Sequence, residues 1–228
     1  MSKKGLFVAV EGIDGIGKGT QATLLSARIE NEGHTSRLIA FPRYGEPACA
    51  DVEAYLRADF GDPDSIDPRV ASKFYADDRL DAAAAIYELL ASGTIVIADR
   101  YVDSNAGHQG GKILDHDERD AYLEWLYRLE YEKNGIPKPD LVIILYADAD
   151  VGRRLLERRA QDILPPEGAT GGHEKNLEHL RRARDAYLWL ARREPGRYRM
   201  INCSPEGEML SRDAIHELIY AEVEPVFQ

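Results

Sequence analysis

The stretch Gly12–Thr20 reads GIDGIGKGT and lies between the apolar run Leu6–Val10 and a segment of helical period from Gln21 to Glu32. Gly12, Gly17 and Lys18 match the pattern GxxxxGK, and a strand before it with a helix after it is the context in which that pattern binds phosphate. Glycines let successive backbone N–H groups turn inward, where they can cradle phosphate oxygens. The following helix adds its positive N-terminal end, and Lys18 adds a point charge that can reach the β and γ phosphates of a nucleotide. The loop residues Gly12, Ile13, Asp14, Gly15, Ile16, Gly17, Lys18, Gly19 and Thr20 are therefore the expected triphosphate cradle. One residue departs from the pattern. Gly19 follows Lys18 where Ser or Thr is usual, which makes Thr20 the candidate for the hydroxyl that meets a metal ion.

Outward from this loop, β-branched runs alternate with longer segments of helical period. Strands are expected at Leu6–Val10, Ser36–Phe41, Thr94–Ala98, Leu141–Tyr146 and Arg199–Asn202. Helices are expected at Gln21–Glu32, Pro68–Ser92, Asp117–Asn134, Val151–Ala160, Leu177–Arg193 and Glu208–Glu222. Alternation of this kind predicts an α/β fold, a five-stranded parallel sheet with helices on both faces. Residues 1–228 are read as a single domain. In such sheets ligands sit beyond the carboxyl ends of the strands. The stretch Gln161–Gly172, QDILPPEGATGG, has no period and reads as a loop. It is either a surface connection or, given the phosphate loop upstream, a mobile flap over the site spanning about residues 158–174.

The net charge of −11 argues against general nucleic-acid binding, which uses a basic face. No apolar run approaches the roughly 20 residues of a membrane helix, and the first residues are too short and wrongly flanked for a signal peptide. Cys49 and Cys203 are the only cysteines and lie far apart, which fits a reducing cytoplasm and neither a disulfide framework nor a zinc site.

In an acidic chain, anionic ligands must be met by a few focused cations. Asp99-Arg100-Tyr101 follows the buried run TIVIA and so emerges at the ligand end of a strand. Asp99 can hold Mg²⁺ directly or through water, and Arg100 can fork onto a phosphate; a structural ion pair at a strand end is the alternative. Arg79 shares a helical stripe with Tyr75, Ala83, Ile86 and Leu90 and needs an acceptor there, either a protein carboxylate or a ligand. Phe41, at the end of the second strand, is a core residue or a stacking platform for a base. Arg153, Arg154, Arg158 and Arg159 precede the glycine-proline loop, and Arg181, Arg182 and Arg184 follow it. They form a solvated face or bring charge to a transferring phosphoryl group.

Taken in order, EGIDGIGKGTQ, AFPRYGEP, DDRLD, ADRYVDSNAGHQGG and the loop before LRRARDAY resemble the thymidylate kinase family over most of the chain. FPRY with DRYVxSN is most similar to actinobacterial members. The resemblance implies a phosphate-loop nucleoside monophosphate kinase fold with a LID flap, ATP-dependent conversion of dTMP to dTDP, Mg²⁺, a cytoplasmic location and a homodimer. It implies that Phe41 stacks on thymine with Pro42 beside it, that Arg79 donates to a thymine carbonyl, and that Asn105 reads the base edge, with Gln109 nearby. Arg100 and Tyr44 would contact the monophosphate. Asp14 would approach the sugar 3′-hydroxyl and the metal, which Asp99 and Thr20 help to hold. Because Gly15 stands where some relatives carry a loop arginine, Arg158 or Arg159 would supply that charge from the flap. Two positions depart from the family pattern: His108 and His173 stand where relatives have tyrosine. At His108 that tyrosine lies under the sugar and disfavours a 2′-hydroxyl. The adenine is placed at the loop Cys203–Pro205.

Three alternatives remain at this stage. A deoxynucleoside kinase would need a carboxylate base near the end of the second strand, where Glu46 is a candidate. Another monophosphate kinase would accept dUMP, dGMP or AMP. A nucleotide sensor would bind ATP without turnover.

Overall fold

The computed structural model of the chain describes residues 5–148, 150, 151, 154 and 177–227. Its centre is β1 (Phe7–Gly12), with every residue buried. β3 (Ile95–Asp99) pairs with it on one side and β4 (Leu141–Tyr146) on the other, all in parallel. β2 (Ser36–Ala40) and β5 (Tyr198–Asn202) close the edges, giving the order β2-β3-β1-β4-β5. The inner strands are continuous apolar runs because both of their faces are covered, whereas the edge strands are only partly buried.

Helix α1 (Lys18–Asn31) packs against the C-terminal helix α7 (Arg212–Phe227). The other layer holds α3 (Pro68–Ala91), α4 (Val102–His108), α5 (His116–Tyr127) and α6 (Leu177–Arg193), while short α2 (Ala50–Leu56) leans on α3. Local chemistry sets several boundaries. Asp67 caps α3 by accepting from Arg69 and Val70 N–H, with Pro68 in the first turn. Asp115 caps α5 through Glu118 N–H.

The five expected strands are all present and all pair in parallel, as expected. Short α2 and α4 were not expected, since neither is long enough to show helical period. Residues Asp117–Asn134 were expected as one regular helix, but α5 passes into a π-helical turn at Arg128–Lys133. The last helix begins at Arg212 rather than Glu208. The expected flap, about residues 158–174, lies outside the described residues, with Arg158, Arg159 and His173, as does most of the helix expected at Val151–Ala160.

Candidate active site

Three strand ends converge on the site. At the end of β1, a Cβ on Gly12 would run into the Leu145 carbonyl of β4, and its φ of +138° suits glycine alone. The loop then turns into α1, where Lys18 is 5% exposed and donates from Nζ to the Ile13 carbonyl at 2.7 Å. The same Nζ lies 3.9 Å from the Asp14 carboxylate. Burial, with Arg100 adding to it, pushes the Lys18 ammonium down to about 8.

β3 delivers Asp99 and Arg100 beside this loop, because Val10 and Asp99 are register partners. Arg100 has a φ of +69°, a strained backbone for a side chain with a Cβ. Glu11 over-determines that turn: its Oε1 accepts from Tyr101 N–H at 2.7 Å and Ser104 N–H at 3.0 Å, and its Oε2 accepts from the Ser104 and Tyr187 hydroxyls. Burial pushes the Glu11 carboxyl up to about 6. The Arg100 guanidinium bonds the Asp14 carboxylate through Nη2 and faces His108 Nε2 at 3.2 Å through Nη1. Burial opposes the charge on Asp14, yet Arg100 outweighs it and holds the carboxyl well below its usual range.

One oxygen of Asp99, Oδ1, is buried without a hydrogen-bond donor among the described residues. Its other oxygen stands 2.8 Å from where a Cβ on Gly19 would sit. A side chain after Lys18 would crowd the Asp99 carboxylate as it is now placed, which suits glycine at that position. Thr20 is on the exposed side of α1. No cluster of three metal-ligating side chains occurs among the described residues. A spare carboxylate oxygen beside a phosphate loop suits Mg²⁺, which is held by one or two carboxylates plus substrate phosphates rather than by a protein cage.

Beside the loop is a cavity of about 140 Å³ lined by Asp14, Phe41, Pro42, Tyr44, Leu56, Tyr75 and Arg79, and by Arg100, Tyr101, Ser104, Asn105, His108, Gln109 and His179. Every residue expected to bind the acceptor therefore reaches one cavity. Lys18, Asp99 and Thr20 are not part of its wall, and Asp14 and Arg100 are where the two halves meet. The Phe41–Pro42 peptide is cis, and the segment after it is pinned to α3 by Arg43, which bonds Asp78 through both N–H and guanidinium. Phe41 is 4% exposed and edge-on to Tyr101, so it is packed in the core as well as lining the cavity. Tyr44 is exposed at the rim.

The protein itself supplies Arg79 with a carboxylate, the first of the two acceptors open to it in the sequence, while the residue still lines the cavity. Its Nε meets Glu130 Oε1 at 3.0 Å, and Glu130 comes from the π-helical turn. Nη1 donates to the Tyr101 carbonyl and Nη2 to Asn105 Oδ1 at 3.0 Å. A guanidinium only donates, so Asn105 must turn its oxygen to Arg79. Asn105 Nδ2 is then a buried donor with no partner among the described residues. Gln109 is oriented just as firmly. Tyr55 gives its hydroxyl proton to the Pro63 carbonyl and therefore accepts from Gln109 Nε2, leaving Gln109 Oε1 as a buried acceptor with no partner among the described residues.

Sequence reasoning missed Glu130, Tyr75 and His179. Tyr75 had figured only as a marker of the helix face bearing Arg79, and nothing local distinguishes it from core. Glu130 carried a usable signal, because an arginine on an apolar stripe calls for a buried acid. Arg181, Arg182 and Arg184 bond exposed carboxylates, including Asp150, Glu178 and Asp148, and none of them lines the cavity.

Comparison with known proteins agrees with this architecture. The thymidylate kinase family model matches residues 10–214. The thymidylate kinase of Mycobacterium tuberculosis is 34% identical over 187 residues, 82% of this chain and 86% of that protein. That of Bifidobacterium longum is 33% identical over 206 residues, 90% of this chain and 92% of that protein. The solved thymidylate kinase of Candida albicans superposes with a TM-score of 0.72 at 22% identity, covering 99% of this chain and 94% of that one, and shares the fold. With a family match spanning most of the sequence and a phosphate loop set beside a cavity lined by polar and aromatic side chains, the chain belongs to the thymidylate kinase family.

Proposed function

We propose that the chain transfers the γ-phosphoryl group of ATP to dTMP, giving ADP and dTDP. The observation that carries this is the polarity of the cavity. Its unpartnered buried amide atoms are one donor, Asn105 Nδ2, and one acceptor, Gln109 Oε1. Together they complement the carbonyl and N–H of a thymine edge. Arg79 has one Nη1 hydrogen beyond its bond to Tyr101 and adds a second donor on the base side. Phe41 and Tyr75 form the aromatic wall that takes the ring. Arg100 and Tyr44 receive the acceptor phosphate, with Asp14 toward the 3′-hydroxyl. Lys18 and the loop hold the ATP phosphates, and Arg158 or Arg159 contributes from the flap.

Asp99 would hold Mg²⁺, with Asp14 and Thr20 nearby. Held there with ATP, the ion would supply positive charge against the transferring phosphoryl group. The acceptor phosphate has a second pKa of about 6 and is mostly a dianion at neutral pH, so no strong base is required. The chain's residues set two anions in line and offset their repulsion. A deoxynucleoside kinase needs a carboxylate base. Asp14 is the only carboxylate lining the cavity among the described residues, and its pairing with Arg100 makes it a poor base. The chain is also proposed to work as a homodimer, as its resemblance to the family implies.

The test is turnover of dTMP, dUMP, dGMP, AMP and thymidine with ATP and Mg²⁺, followed by chromatography of the products. Formation of dTDP at the highest kcat/KM is expected. Faster turnover of AMP, or phosphorylation of thymidine alone, would reject the proposal.

A further inference from the structure

His108 and His179 form a chain of nitrogens that starts at Arg100. Arg100 Nη1 is 3.2 Å from His108 Nε2, and His108 Nδ1 is 3.2 Å from His179 Nε2. His179 Nδ1 lies 3.5 Å from the Asp64 carboxylate. The two rings are nearly parallel, 17° apart, with centroids separated by 5.4 Å. His179 comes from α6 and is 5% exposed. Asp64 comes from the turn Pro63–Ser65 before α3.

Simple donor accounting fixes every proton along this line. A guanidinium has no acceptor, so His108 Nε2 must be the lone-pair nitrogen. Burial keeps His108 well below the usual imidazole range, and Arg100 pushes the same way against the pull of Asp14, so the ring is neutral. Its single proton is then on Nδ1, where it faces His179 Nε2. That makes His179 Nε2 the acceptor and puts the His179 proton on Nδ1, toward Asp64. Both hydrogen bonds run one way, from Arg100 through His108 to His179, so the first polarises the second, and the His179 proton is turned toward the Asp64 carboxylate.

We infer that His108 is a positioning residue for Arg100, locked as the Nδ1–H tautomer by His179, and not a hydrogen-bonding reader of the sugar. Both of its nitrogens are already engaged. A ribose 2′-hydroxyl near it would find neither ring nitrogen free to bond it. Among the described residues, Arg100 would otherwise be held on the acceptor side by Asp14 alone, from a strained backbone position. The pair thus couples Arg100 to α6, the helix that follows the flap in sequence. The inference rests on the proposed role of Arg100 at the acceptor phosphate, but its proton assignment does not.

Long-range proton–nitrogen spectra of ¹⁵N-histidine-labelled protein test that assignment without any nucleotide, with His108→Gln and His179→Gln used only to assign signals. Both rings are expected neutral with the proton on Nδ1. A His108 signal for the Nε2–H tautomer, or for the imidazolium near neutral pH, overturns the inference. Kinetics test the consequence in variants shown by thermal melting to fold. His108→Phe keeps a ring but offers Arg100 no acceptor, and should raise KM for dTMP about tenfold while KM for ATP holds. His108→Gln places an amide oxygen at the Nε2 position and should recover KM to within about threefold. It should also leave the preference for dTMP over its ribonucleotide where it was. Gln behaving no better than Phe, or shifting that preference alone, overturns the inference. If the chain turns over no dTMP at all, the proposed function fails, while the spectra still decide the tautomer.

Discussion

The phosphate loop is one uninterrupted run, Gly12–Thr20, and most of what it offers a ligand is main chain. The acceptor cavity is assembled from side chains between Asp14 and His179, on elements that meet only in the fold. The loop leaves its cation, Lys18, on a single carbonyl and a distant carboxylate. The cavity binds its cations tightly to protein acids, Arg79 to Glu130 and Arg100 to Asp14. A triphosphate brings enough charge to organise a lysine on arrival, whereas a neutral base brings none. Groups that would read the base must therefore be oriented beforehand, by partners that cost desolvation. The contrast predicts that damage to the cavity acts first through stability and damage to the loop first through turnover.

The Arg79–Glu130 pair should give the largest effect. Arg79→Ala leaves the Glu130 charge buried and alone, and should cost about 3–5 kcal/mol of unfolding free energy in urea titration. The double variant Arg79→Met with Glu130→Leu should regain most of that stability while KM for dTMP stays high. Recovery of KM along with stability would show that the pair only holds the fold together. Next in size is Lys18→Ala, expected to lower kcat by about a hundredfold or more, with little change in melting temperature. A large fall in melting temperature there would erase the contrast between the two halves.

Tyr75→Ala should have a smaller effect, raising KM for dTMP by roughly tenfold through lost contact with the ring. If only Phe41→Ala does so, the base rests on the second strand's end and Tyr75 is wall alone.

How far the sequence disclosed these regions follows from the same contrast. The loop was legible because its geometry is local: Gly12, Gly17 and Lys18 carry it at fixed spacing, and even the departure at Gly19 suits the nearby Asp99 carboxylate. The sheet was legible because LVIILY and TIVIA are buried on both faces. Asn105, Arg79 and Arg100 could be named as candidates through resemblance. Their orientation could not be, since it depends on Glu130 in a π-helical turn and on Tyr55 bonded to Pro63. No period or motif announces that such residues, far apart in sequence, touch. The His108–His179 pair is the extreme case, because two lone histidines 71 positions apart carry no signal until α6 is laid against α4.

The smallest expected effect tests the loop's side of the contrast. Burial pushes the Lys18 ammonium down to about 8 in the free chain. The phosphates of ATP favour its charged form and must raise that value, so binding draws in a proton wherever the free lysine is partly neutral. At pH 8 the free side chain is near half protonation, and uptake on binding MgATP should approach about half a proton. At pH 6 the lysine is already charged and its uptake should vanish. Calorimetry in buffers of different ionisation enthalpy measures this directly. Lys18→Arg, whose guanidinium stays charged at both values, should show none of the pH 8 uptake. Equal uptake in that variant would assign the proton to another group and place Lys18 in the same class as Arg79, a cation whose charge is fixed before any ligand arrives.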